Sequence, residues 1–141
     1  MSVEENKALA RRYFEEVFNQ WNLDSVEELL SSDYVQHDPV RPEPMDREHL
    51  KQTYPLFRSA LRDLHFAVED LIGDGDKVVA RYTFRGTHQG DFQGAAPSGN
   101  PVTGTGIGIF RLDNGRIAEV WAQWDRLGFM QQLGLVPDRA Q

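Results

Sequence analysis

Three side chains in this sequence are placed to move protons: His37, His88 and Asp125. A histidine titrates near neutrality, so it can take a proton from carbon beside a carbonyl and return it elsewhere. His37 ends the short polar run Tyr34–His37, before the Asp38-Pro39 turn, where its other role is to bond loop backbone. His88 heads a glycine-rich stretch, and its other role is to organise that loop through Thr87 and Asp91. Asp125 stands just before Leu127-Gly128-Phe129, the place of a helix N-cap. It would act as acid or base only if a bulge aimed it into an apolar pocket. Other chemistries lack their residues. With no cysteine, disulfides, thiolate nucleophiles and cysteine-bearing metal sites are excluded. His37, His49, His65 and His88 show no HxH or HxxxH pairing, so no metal site is expected. The GxGxG at Gly104–Gly108 opens no helix, and Ser98 has no nucleophile elbow around it.

The chain that must position these groups has 141 residues, 40% of them hydrophobic and 26% charged. Such a composition excludes intrinsic disorder and fits a single domain over residues 1–141 with a sizeable core. A net charge of −7 makes a nucleic-acid backbone a poor partner. No apolar run approaches the ~18 residues of a membrane span, and the opening MSVEENKALARRYF has no signal-peptide core. A soluble, cytoplasmic protein is expected.

Ala10, Tyr13, Phe14, Val17, Phe18 and Trp21 form one stripe of a long helix over Val3–Trp21. Asn22 or Asp24 would cap a second helix carrying Val26, Leu29 and Leu30, and a third would start near Asp46, with a kink or a restart expected at Pro55. After Leu64 the period becomes two. Strands are expected from Leu64 to Glu69, Lys77 to Thr87, Val102 to Leu112 and Arg116 to Asp125. Asp113-Asn114-Gly115 marks a hairpin, and a short helix near Leu127–Leu133 ends at Gly134. Helices first and strands afterwards give an α+β fold, the helices packed on one face of an antiparallel sheet.

Alternation sorts the sheet side chains by face. Ala118, Val120, Ala122 and Trp124 would face the helices, with Ile117, Glu119, Trp121, Gln123 and Asp125 outside. On the preceding strand Gly104, Gly106, Gly108 and Phe110 share a side, and the hairpin register sets Gly108 opposite Ala122. Tyr82 and Phe84 match that side on the third strand, and the parity runs on to His88. A face floored by glycine and alanine either admits a helix closely or leaves a cavity walled by larger groups. Phe110 and Trp124 would then be aromatic walls, while Trp121 and Ile117 outside suggest a dimer contact.

The segments DYVQHDP at Asp33–Pro39, GTHQGDFQGAAPSG at Gly86–Gly99 and FRLDNGRIAEVWAQWDRLGFMQQLG at Phe110–Gly134 resemble the SnoaL-like polyketide cyclases of the nuclear transport factor 2-like superfamily. FNQWNLDSVEELL fits as well, so the resemblance covers nearly the whole chain. It implies a cone-shaped α+β (cystatin-like) barrel, three N-terminal helices wrapped against a curved antiparallel sheet, with a deep apolar pocket and a homodimer. It also implies cofactor-independent acid/base chemistry, ring closure by aldol condensation. The substrate-holding amide of those cyclases matches Gln36. Their acid/base positions, counted without gaps, fall on Ala122 and Gly108, which cannot carry protons.

Two functions therefore stand side by side. One is an enzyme that cyclises, isomerises or hydrates a bulky apolar carbonyl compound such as a polyketide. In it Gln36 orients the substrate, His37 or His88 (or a bulged Asp125) shuttles the proton, and Tyr82, Phe84, Gly108, Phe110, Ala122 and Trp124 enclose the ligand. The other is a non-catalytic small-molecule carrier on the same scaffold. Either way the partner is an apolar small molecule.

Overall fold

The computed structural model describes residues 2–39 and 41–137. Helix α1 (Val3–Arg12) begins at a capping box in which the Ser2 hydroxyl accepts from the Glu5 amide and Glu5 returns a bond to the Ser2 amide. Past Arg12 the helix widens into π turns over Tyr13–Asn19, and the Gln20 amide reaches the Glu15 carbonyl at 2.8 Å. The apolar stripe predicts the buried face correctly but not the change of turn, since spacing reports direction rather than hydrogen-bond pattern. Such π segments concentrate at functional sites. This one ends near Trp21, whose φ of 59° is uncommon outside glycine. Arg58 secures that end: its guanidinium lies 5.3 Å from the indole centre and donates to the Phe18 carbonyl at 3.0 Å.

Helix α2 (Ser25–Leu29) passes directly into strand β1 (Leu30–His37), so Leu30 opens the strand rather than closing the helix. Helix α3 (Arg47–Ala60) is capped by Asp46, which accepts from the His49 amide at 2.9 Å, and it runs unbroken through Pro55. Strands β2 (His65–Asp74), β3 (Lys77–Thr87), β4 (Pro101–Asp113) and β5 (Arg116–Trp124) follow, then helix α4 (Arg126–Gln132). Asn114 and Gly115 turn the β4–β5 hairpin with φ of 51° and 77°, the signature of a two-residue type I′ turn.

The sheet order is β1-β5-β4-β3-β2. Its neighbours are antiparallel except β1 and β5, which run parallel, so the expected wholly antiparallel sheet becomes a mixed one. The sheet is curved and unclosed, with β1 and β2 at its edges, an α+β architecture rather than a closed barrel. Its inner face meets the helices through Val78, Ala80, Tyr82, Phe84 and Phe110, all buried. Full burial of a side chain such as Val78, Phe84 or Phe110 contributes about 1.5–3 kcal/mol.

One register detail overturns a face assignment. Arg111 pairs with Glu119 but Leu112 pairs with Ile117, leaving Ala118 as an extra residue. This bulge turns Ile117 into the core, where it is fully buried, instead of onto the outer face. Beyond the bulge the parity holds, with Val120 buried and Trp121 exposed. Among the described residues no helix is long and apolar enough to cross a membrane.

Candidate functional site

A cavity of about 120 Å³ lies between the opening helix, α3 and the inner face of the sheet. Tyr13, Phe14, Phe18 and Trp21 form its helical wall, and Tyr54 and Phe57 of α3 close it from above. The sheet supplies Phe66, Tyr82, Phe84, Phe110, Val120, Ala122 and Trp124. Of the ligand-binding residues expected from sequence, Gln36, Tyr82, Phe84, Phe110, Ala122 and Trp124 all line this space. Gly108 does not. It pairs with Ala122 as the hairpin register requires, but Phe110 covers it, the ring edge lying 3.4 Å from where a Cβ would stand.

The glycine stripe is therefore not an open floor. A Cβ at Gly104 would overlap the Phe84 ring, and one at Gly106 would stand 2.5 Å from the Tyr82 ring and hydroxyl. Glycine lets both rings lie flat on β4, and the rings themselves are the surface a ligand meets. Phe14 and Tyr82 have centroids 5.1 Å apart, and Phe66 and Phe84 5.5 Å, so the wall is a continuous aromatic lattice.

Polar groups enter this wall at few points. Strand β1 alternates: Tyr34 and Gln36 are buried, while His37 turns outward. The Tyr34 hydroxyl donates to Gln36 Oε1 at 2.8 Å and also interacts with Tyr13, whose hydroxyl lies 2.5 Å from that of Tyr54. With Oε1 engaged, the Gln36 amide nitrogen is left as the donor toward a ligand. Burial pushes the Tyr13 phenol up to about 12, partly offset by its bonds with Tyr54 and Tyr34. Burial likewise holds Tyr34 and Tyr54 well above the ordinary phenol range. Tyr82 is raised by burial first, then by the nearby Tyr13 and Asp38. All four tyrosines thus stay protonated donors at neutral pH.

Asp38 is the residue that the sequence reading missed. It is half-buried, and it is the only carboxylate lining the cavity among the described residues. In sequence its place directly before Pro39 reads only as a turn. Strand parity was the available signal: if Gln36 faces inward, His37 cannot, and Asp38 returns to the inner side.

The three expected proton carriers lie outside the lining. His37 stands on the outer face, its Nε2 2.6 Å from Glu119 Oε2 and its ring stacked on Trp121 at 5.6 Å. The hydrogen bond from His37 holds the Glu119 carboxyl below its usual range, with help from Arg111. His88 keeps the inward parity but is fully buried beyond the cavity. Its Nδ1 meets Ser98 Oγ at 3.2 Å, and its backbone pairs with Asn100 and Gly99 at 2.9 Å, so it pins the loop base through Ser98 rather than Thr87 or Asp91. Asp125 is exposed and caps α4, accepting from the Gly128 amide at 2.9 Å, with no bulge to turn it inward. Among the described residues no group of three His, Asp or Glu side chains could hold a metal ion.

Next to the cavity, and sharing Asp38, Met45, Thr53, Phe57 and Trp124 with it, is a vestibule of about 250 Å³. Its remaining lining includes Arg41, Asp91, Phe92 and Arg126.

Comparison with known proteins agrees with this architecture. None of the curated proteins matches the chain in sequence. AclR of Streptomyces galilaeus, a proposed hydroxylase, superposes with a TM-score of 0.89 at 26% identity, over 99% of this chain and 87% of its own. IdmH of Streptomyces antibioticus, a proposed polyketide cyclase, gives 0.84 at 30% identity, over 92% and 98%. A proposed polyketide cyclase of Acidithiobacillus ferrooxidans gives 0.84 at 28%, over 95% and 98%. The family described as SnoaL-like polyketide cyclase matches residues 8–133. With that match spanning the helical wall, the aromatic sheet face and the hairpin alike, the chain belongs to the SnoaL-like polyketide cyclase family.

Proposed function

We propose that this protein catalyses proton transfer beside a carbonyl in an apolar ring compound, leading to cyclisation or isomerisation. The observation that carries this reading is a cavity walled by aromatic rings whose lining includes one carboxylate, Asp38, among the described residues, together with hydrogen-bond donors. Asp38 takes the proton from the α-carbon as general base, and the electron pair moves onto the carbonyl oxygen. The Gln36 amide and the Tyr82 hydroxyl, kept protonated by burial, stabilise the resulting enolate. In isomerisation Asp38 returns the proton to another carbon of the conjugated system. In ring closure the enolate carbon attacks a second carbonyl of the same molecule, and the proton goes to the new alkoxide. Phe84, Phe110 and Trp124 hold the apolar body.

Incubation with a panel of polycyclic β-keto esters and aromatic ketones, followed by chromatography with mass detection, tests this. Multiple turnovers are expected, with Asp38→Asn reducing the rate about 10²–10⁴-fold, the usual contribution of a general base. Turnover unchanged in Asp38→Asn would refute the assignment.

A carrier reading is favoured by one observation, the occupation of the family's acid/base positions by Gly108 and Ala122. Saturable one-to-one binding of panel members without product would support it. We also infer a homodimer through the outer sheet face, where Ile72, Val79, Ile109 and Trp121 form a cross-strand apolar row. Ile72 is 64% exposed and Trp121 37%.

A further inference from the structure

The inner cavity is small for the family's chemistry. At about 120 Å³ it is of the order of the ~150 Å³ engineered cavity that holds benzene. Sites for drug-sized ligands run from about 300 to 1,000 Å³. A substrate larger than one ring system must therefore continue past Asp38 and Trp124 into the vestibule of about 250 Å³.

That second chamber has a different chemistry. Where the cavity walls are aromatic, the vestibule carries Arg41 and Arg126 beside Asp38 and Asp91. Arg12, Arg47, Arg81 and Arg111 each form a salt bridge, whereas Arg41 and Arg126 form none with other described residues. Both residues line one chamber, on the loop after β1 and at the start of α4, and neither guanidinium donates to another described residue. A guanidinium is suited to a planar carboxylate, which it can bind through two parallel bonds. A cationic appendage would instead pair with Asp38 and weaken it as a base.

We propose that the substrate is bipartite: a carbonyl-bearing ring in the aromatic cavity, joined by a short linker to a carboxylate that Arg41 and Arg126 bind in the vestibule. This rests on the ketone-binding reading above and adds the anionic subsite to it. Asp38 and Asp91, which line the same chamber, limit the affinity of that subsite without removing the two cations.

Three matched probes separate the two claims: 4-oxo-4-phenylbutanoate, its methyl ester, and butyrophenone, titrated by calorimetry at low salt. All three should bind, and the carboxylate about tenfold more tightly than the ester, the gain expected of one charge-assisted contact. The double variant Arg41→Gln/Arg126→Gln should lose that preference while keeping its affinity for butyrophenone, which shows that it is folded. Added salt should shrink the preference in the natural protein. Butyrophenone and the ester binding as well as the carboxylate would overturn the anionic subsite and leave the ketone cavity standing. A carboxylate preference that survives in the double variant would also overturn it. Failure of all three probes to bind would overturn both.

Discussion

Alanine placed along the glycine stripe of β4 distinguishes a ring-covered floor from an open one. At Gly106 a new Cβ would stand 2.5 Å from Tyr82 Cζ and Oη, and at Gly104 it would overlap the Phe84 ring. Neither ring can retreat freely: Tyr82 lies 5.6 Å from Phe66, and Phe84 lies 5.9 Å from Phe129. Overpacking of this kind costs about 1–3 kcal/mol, against which replacing glycine returns about 0.4–1 kcal/mol through the unfolded chain. The net loss should be about 1–2 kcal/mol at Gly104 and Gly106. At Gly108 the nearest atoms are Phe110 Cε1 at 3.4 Å and the Trp121 carbonyl at 3.6 Å, close to ordinary contact, so Gly108→Ala should be neutral within about 0.5 kcal/mol. Urea denaturation reads this directly. With an m-value of about 2 kcal/mol/M the midpoint falls by about 0.5–1 M for the first two variants and stays in place for the third. Equal losses at all three positions, or no loss at any, would refute the claim that Tyr82 and Phe84 lie on the glycines.

Four other outcomes follow from the same geometry. All four tyrosines are buried with raised pKa values, so absorbance at 295 nm should show no phenolate step near pH 10. Their stabilising effect is complete below the unfolded value of 10.0 and is lost as pH rises through the raised values, about 12 for Tyr13, so ionisation should coincide with alkaline unfolding. Glu119 has the opposite sign: its lowered pKa contributes stability above 4.5 that is lost on acidification, and Glu119→Gln should flatten the acid limb of stability against pH. Asp125→Ala should cost about 0.5–2 kcal/mol through the lost cap, with Asp125→Ser restoring most of it. Charge at the outer row, as in Ile109→Glu with Trp121→Glu, should leave the fold intact and give a monomer by light scattering.

The α+β order, the hairpin and most of the aromatic wall were legible in the sequence because period-two and period-3.6 patterns report directly which face is buried. Phe110, Ala122 and Trp124 came from parity alone and line the cavity as expected. What escaped were features set by a single residue's geometry. The extra residue at Ala118 leaves no mark in the hydrophobic pattern, yet it reverses Ile117. The π turns over Tyr13–Asn19 keep the same apolar stripe as an α-helix. His37 attracted attention by its chemistry, while its neighbour Asp38 was read as punctuation before proline. Alternation from Gln36 would have exchanged their places.

The central claim is that Asp38 moves a proton at a carbonyl compound held in the aromatic cavity. Exchange of the α-hydrogens of 2-tetralone in D₂O, followed by proton NMR, measures that step without requiring the natural substrate. The account predicts exchange well above the buffer rate, lost in Asp38→Asn while 2-tetralone still quenches Trp21 and Trp124 fluorescence in the variant. Exchange that persists undiminished in Asp38→Asn would contradict it, as would bound 2-tetralone that exchanges no faster than in buffer.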